Sequence, residues 1–348
     1  MTAVVRQRAW LIPCAVVGAL LGAAPGISGD ADDPRDWLQK MNHALATRNY
    51  DGTFFHFSDG RVETMRIVHR VRAGQVTERL QSLDRSGREF VRNNDELTCY
   101  LPDQHTVLVE PRQDRGPFLG SLPKFGADVN QFYLIASLPS ARVLGRAARV
   151  ISVTPKDQFR FGYRLWLDEG TAMPLKTQLC DSRGHVIEQI LFARLDMPEN
   201  IADSDLAPTV RTEGMRWVRQ GPARDNSAAA LSAFRASELP PGFHLTVEGA
   251  QTIGGAAVPA SHLVYSDGLA TVSVFVEAQQ DPAPADGSAQ PKSSNPPMRG
   301  LARVGSGFAF STVVEGHQVT AIGEVPAQTV EFIAQSVKAN SGAAPARH

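Results

Sequence analysis

The stretch from Arg160 to Leu195 constrains this chain most. Phe161-Gly-Tyr-Arg-Leu-Trp-Leu167 has the composition of a strand, and Asp168-Glu-Gly170 turns after it. Leu175–Cys180 is a second such run, Asp181-Ser-Arg-Gly184 a second turn, and Val186–Leu195 a third run. β-forming runs separated by turn residues about every 10 positions predict an antiparallel meander, hence a large sheet or barrel. Thr53–Phe57, Glu63–His69, Glu96–Leu101 and Thr106–Glu110 extend the pattern upstream. A helix precedes them. Asp33-Pro34 supplies a cap acceptor and a first-turn proline, and Trp37, Leu38, Met41 and Leu45 share one helical face. Asn49-Tyr50-Asp51-Gly52 ends it. Gln131–Leu138 reads as a short helix or lid.

Residues 32–196 therefore form one large β domain. Residues 197–214 hold two prolines and several acids and read as a linker. Residues 215–340 read as a smaller α+β unit. His262–Tyr265 and Ala270–Glu277 flank Ser266-Asp267-Gly268, a hairpin signal, and Phe308–Val314 with Gln318–Val325 make a second hairpin. Pro326 then opens a helix with Val330, Ile333, Ala334 and Val337 on one face. The Pro-, Ala- and Ser-rich segment 279–300 reads as a mobile loop, and 341–348 as a disordered tail. The fold class is α+β, mainly antiparallel β. A length of 348 residues suits two domains.

The first 31 residues read as an export signal. Arg6 and Arg8 precede an apolar run from Ala9 to Ala24, and small and turn-forming residues follow. The run is shorter than the roughly 20 residues that span a bilayer. Leu11-Ile12-Pro13-Cys14 has proline where a lipoprotein box needs a small residue, so Cys14 is not read as lipidated. The mature chain is therefore expected to be exported, after cleavage between residues 24 and 31.

Function classes fall away in turn. Formal charge is -1, so no basic domain exists to wrap nucleic acid. No G-x-S-x-G, H-E-x-x-H, C-x-x-C, P-loop or dinucleotide fingerprint occurs. His56 and His69 lie in early strands without a third ligand, and Asp168-Glu169 are turn acids. No catalytic, metal or cofactor residue is assigned, and no enzyme is expected. In an oxidising compartment Cys99 and Cys180 can form a disulfide or remain two buried thiols.

Two features stay open between function and structure. Residues 61–92 carry eight arginines against four acids. The arginines are Arg61, Arg66, Arg70, Arg72, Arg79, Arg85, Arg88 and Arg92, which suit an anionic headgroup or an acidic partner, or simply a solvated strand face. Phe54 and Phe55 adjoin in one strand and face opposite sides, so one needs cover from a helix, ligand or partner. The aromatics of the first unit either line an apolar cavity for acyl chains or fill its core.

Several strings carry a family resemblance. In the first unit they are Asn49-Tyr-Asp-Gly-Thr53, Glu78-Arg-Leu-Gln-Ser-Leu-Asp84, Arg88-Glu-Phe-Val-Arg92 and Cys99-Tyr-Leu-Pro-Asp103. In the second they are Leu239-Pro-Pro-Gly-Phe243, His262-Leu-Val-Tyr-Ser-Asp-Gly-Leu-Ala-Thr-Val-Ser-Val-Phe275 and Val319-Thr-Ala-Ile-Gly-Glu-Val-Pro326. Together they resemble the sigma-E factor regulatory proteins, the RseB/MucB family. The departures are the Ala/Ser-rich stretch Asn226–Ala236 and the loop 279–300.

The resemblance implies an unclosed β-barrel-like domain with helices, similar to periplasmic lipoprotein carriers, beside a smaller antiparallel-sheet domain. It implies a partner, the periplasmic domain of a transmembrane anti-sigma factor of the RseA/MucA type, shielded from regulated proteolysis. It also implies lipopolysaccharide or lipoprotein acyl chains as signals, and self-association. A lipid or lipoprotein carrier is the competing reading.

Overall fold

Asp33 starts the first element as expected. Its side chain accepts from the Arg35 N–H at 2.9 Å, and Pro34 sits in the first turn of α1 (Pro34–Thr47). The computed structural model describes residues 33–93, 96–111, 129–219, 234–251, 260–278 and 299–339. The signal, Cys14, most of Asn226–Ala236, loop residues 279–298 and the tail 341–348 lie outside them.

The meander is longer than the sequence runs suggest. On one side it comprises β1 (Tyr50–Ser58), β2 (Arg61–Arg72), β3 (Gln75–Ser82), β4 (Glu89–Asn93), β5 (Glu96–Leu101) and β6 (Thr106–Pro111). After α2 (Val129–Phe132) come β7 (Tyr133–Val143), β8 (Arg146–Pro155), β9 (Gly162–Asp168), β10 (Pro174–Cys180) and β11 (Val186–Asp196). β11 returns to pair with β1, so two antiparallel runs flank β1 in one sheet. Among the described residues that sheet has twelve strands, and its ends are not paired with each other. It is unclosed.

α1 fills one face. Trp37, Leu38, Met41, Ala44 and Leu45 pack on Tyr50, Phe54, Ile67, Leu165, Leu167 and Phe192. Each fully buried large apolar side chain contributes about 1.5–3 kcal/mol. Phe54 belongs to this core at 4 % exposure. Phe55 points to the opposite face and meets Phe57 edge-on at 6.3 Å.

Three expectations need correction. Gln131–Leu138 is mostly strand: only Val129–Phe132 is helical, and β7 runs on from Tyr133. Short apolar runs do not separate helix from strand by periodicity, and pairing with β8 decides this one. Residues 216–219 do not join the small unit. They form β12 (Arg216–Arg219), parallel to β6 at the large sheet's edge. Cys99 and Cys180 are buried and form no disulfide. They sit on β5 and β10 with five strands between, each spaced about 4.8 Å from the next, whereas a bridge needs Cα atoms within about 7 Å.

The linker region is not loose. It carries α3 (Asp203–Leu206) and lies as a strap on the large sheet's outer face, away from α1. Val210 and Met215 pack on Tyr100, Val107 and Val109.

The small unit has β13 (Phe234–Ala236), β14 (His244–Gln251), β15 (Ala260–Ser266) and β16 (Thr271–Ala278). It continues with β17 (Gly300–Val304), β18 (Gly307–Val314), β19 (His317–Gly323), α4 (Ala327–Ser336) and β20 (Val337–Ala339). β14 to β19 make a six-stranded antiparallel sheet in the order β14-β15-β16-β19-β18-β17. Val330, Ile333 and Ala334 of α4 pack on Leu263, Val272, Val274, Val319 and Ala321. From Asp33 onward the described residues form one compact unit. No helix among the described residues is long and apolar enough to cross a membrane.

Candidate functional site

The seam between the two sheets concentrates the buried polar chemistry. Arg160, between β8 and β9, is fully buried. Its Nε lies 2.9 Å from Asp267 of the β15–β16 turn, and its Nη1 donates to Asp157 at 2.9 Å. It also donates to the Pro241 carbonyl. Its guanidinium lies 4.8 Å from the Phe132 ring, 5.6 Å from Tyr133 and 5.3 Å from Phe243. Tyr133 Oη donates to Asp267 at 3.1 Å, and burial first, then Asp267, pushes its phenol far above its usual range. Asp267 therefore does more than turn a hairpin. The Asp-Gly and Pro-Pro-Gly-Phe strings of the small unit wrap a cation of the large one. Thr329 of α4 donates to the Phe159 carbonyl at 2.8 Å, and Phe332 meets Phe159 edge-on at 5.8 Å.

At the other end of the seam, His56 Nε2 lies 3.2 Å from Glu188. Ser306, in the β17–β18 turn, donates to Glu324. The hydrogen bond to Glu188 raises His56 above its usual value. Burial lifts Glu188, but His56 and Ser306 outweigh it and leave that carboxyl low. Burial, with Glu188 adding, pushes Glu324 up to about 7. Tyr163, Thr177, Gln178, Leu179, Glu188, Ile190 and Glu324 line a small cavity here. Arg303 adds an ion pair to Asp59 at 2.7 Å.

The arginine cluster is largely absorbed by the chain itself. Arg66 pairs with Asp51 at 3.0 Å and Asp205 at 3.4 Å, and Arg70 with Asp203 at 2.5 Å. Arg79 pairs with Glu89 at 3.0 Å, Arg88 with Glu63 at 3.1 Å and Arg92 with Glu78 at 2.9 Å. Arg61, Arg72 and Arg85 are exposed. Asp203 and Asp205 belong to the strap, so an acidic segment does occupy these arginines, but it is the chain's own. Sequence reasoning missed this, although Asp203-Ser-Asp205 was the available signal.

His69 is buried, 2.5 Å from Glu78 and stacked on Tyr50 at 4.5 Å. Asp168 holds its turn by accepting from Gly170 N, Thr171 N and Thr171 Oγ1. Among the described residues no group of three or more His, Cys, Asp or Glu side chains could hold a metal.

The family profile for the MucB/RseB N-terminal domain matches residues 33–210, and that for the MucB/RseB C-terminal domain matches residues 228–338. The chain belongs to the MucB/RseB family. It is 31% identical to the sigma factor AlgU regulatory protein MucB of Pseudomonas aeruginosa, over 93% of this chain and 97% of that protein. It is 25% identical to the sigma-E factor regulatory protein RseB of Escherichia coli K12, over 95% and 98%. The solved complex of P. aeruginosa MucA and MucB superposes with a TM-score of 0.66 at 28% identity. It covers 89% of this chain and all of that one. A crystal structure of MucB with MucA(peri) gives 0.63 at 27% identity, with the same coverage. The relatives' names are those of regulators, and the resemblance read from the sequence strings is the family found.

Proposed function

We propose that this chain binds the periplasmic domain of a transmembrane anti-sigma factor of the MucA/RseA type. It shields that domain from regulated proteolysis and so restrains the envelope-stress response. It works from the periplasm after export, by binding and not by catalysis. The observation that carries this reading is coverage. Both domains align across the whole length of a MucB chain solved with MucA, so the parts that chain brings to its complex have counterparts here.

Lipopolysaccharide or another lipid releases the partner. The route is linkage: if lipid and partner favour different arrangements of the two sheets, each weakens the other equally. The seam is where arrangements differ, because it joins the sheets through a few buried ionic contacts. A carrier would hold its acyl chains against the face that α1 occupies.

The test is calorimetric titration of the exported form with the host anti-sigma factor's periplasmic domain. Stoichiometric binding is expected. A folded sample that fails to bind well above micromolar concentration overturns the reading in favour of a carrier. Saturating lipopolysaccharide is expected to lower partner affinity, and unchanged affinity removes the linkage mechanism.

A further inference from the structure

The outer face of an antiparallel sheet is ordinarily polar. Here one cross-strand row on that face is not. Following the register from β7 to β1, it runs Leu138, Val150, Trp166, Lys176, Leu191, Phe55. Phe57 continues the apolar surface next to Phe55, opposite Val62, which is 55 % exposed. Two cations are set into it. The Lys176 ammonium lies 4.3 Å above the Trp166 ring, and Arg164 donates to the Gln178 side-chain oxygen at 3.4 Å. Among the described residues neither forms an ion pair with a carboxylate. Burial, then Arg164, lowers Lys176.

The rest of the same face shows what such a surface takes. From β2 to β6 the strap crosses it, placing Asp203 and Asp205 on Arg70 and Arg66. Its apolar residues cover Tyr100, Val107 and Val109. The cover stops at Arg66 of β2, two positions along the strand from Thr64, which pairs with Phe55. Beyond it, among the described residues, the same combination of apolar side chains and cations continues, with Leu138 37 % and Val62 55 % exposed.

We propose that this part of the face docks an extended acidic segment of the anti-sigma partner, its carboxylates on Lys176 and Arg164 and its apolar side chains on Trp166, Leu191 and Phe55. This rests on the functional reading above and names the surface it uses. Across six strands at about 4.8 Å spacing the row is roughly 24 Å long, enough for about seven extended residues.

The test measures affinity for the host partner's periplasmic domain with Lys176→Glu, Phe55→Ser and Lys176→Arg. The expected result is a tenfold or greater loss for the first two and less than twofold for the third. Should Phe55→Ser fail to fold, a photo-crosslinking residue at Val62 in the otherwise unchanged chain is expected to capture the partner. Wild-type binding with all variants within twofold, or no crosslink in the bound complex, overturns the proposed surface and leaves the function standing. No wild-type binding overturns both. Loss of binding to phosphatidylglycerol vesicles with partner affinity intact overturns it in favour of a membrane-facing role.

Discussion

At the residue scale, the string Asn49 to Gly52 shows why such short motifs persist in a fold. The Asn49 side chain accepts from Val71 N at 2.8 Å and donates to the Glu199 carbonyl at 2.7 Å, tying β1 to both β2 and the strap's start. Asp51 lies 3.0 Å from both Arg66 and Arg194; burial raises its carboxyl, but the two guanidinium groups bring it below the usual range. Gly52 has no room for a side chain, since a Cβ there would sit 2.4 Å from the Phe192 ring and 3.1 Å from the Arg194 carbonyl. Gly52→Ala is expected to destabilise by about 1–3 kcal/mol in urea unfolding, the usual cost of overpacking. Glu324 supports a pH prediction. Its folded value of about 7 exceeds that of an unfolded glutamate, so its contribution is complete below about 4.5 and is lost as pH rises through 7. His56, also raised, loses its contribution in the same direction as it deprotonates. Glu188 is depressed and loses its contribution only toward acid. Melting temperature is therefore expected to fall between pH 6 and 8, and to fall less in Glu324→Gln.

At the element scale, the strap has two kinds of anchor with different energies. Glu89 is 1 % exposed, accepts from Thr209 N at 3.0 Å and pairs with Arg79. Asp203 is 85 % exposed. Glu89→Gln leaves a buried guanidinium without its counter-ion and is expected to cost about 3–5 kcal/mol, whereas Asp203→Asn, at a fully exposed carboxylate, should leave the unfolding midpoint nearly unchanged. Guanidinium unfolding of the two variants checks this contrast; equal costs would show that the strap is not held through Glu89. The adjacent pair Phe54 and Phe55 divides the same way. Alternation required one of them to leave the core, and pairing with β11 and β2 decides that it is Phe55.

At the scale of the whole molecule, Arg160 is a fully buried cation that ties the two sheets together. Removing Asp267 leaves it a buried cation with a single remaining carboxylate, Asp157. Asp267→Ala is expected to split one calorimetric unfolding transition into two, with the large sheet's midpoint less affected. A single unshifted transition would mean that the α4 contacts at Phe159, with those at Glu324 and Arg303, are enough to couple the units. If the linkage mechanism holds, the same variant also binds the partner with a changed response to lipopolysaccharide, because the contact that distinguishes domain arrangements is gone.

Much of this protein was legible from its residues. The meander, the α1 cap, both hairpins of the small sheet and α4 follow from turn chemistry and periodicity, which act over a few neighbouring positions. The family followed from strings of five to fourteen residues. What escaped is long-range. Residues 197–214 look like a linker because their own composition cannot build a core, yet Thr209 and Val210 use a core supplied by strands about 100 residues earlier. Gln131–Leu138 had an ambiguous apolar pattern that only β8 resolves. Asp267 reads as a turn residue because its neighbours are Ser266 and Gly268, and its partner Arg160 is 107 positions away. Local sequence determined which elements form, since caps, turns and alternation are local energies. Tertiary structure decided which charges are neutralised, which aromatics are covered and where the sheets join, since those depend on residues that meet only after the chain has folded.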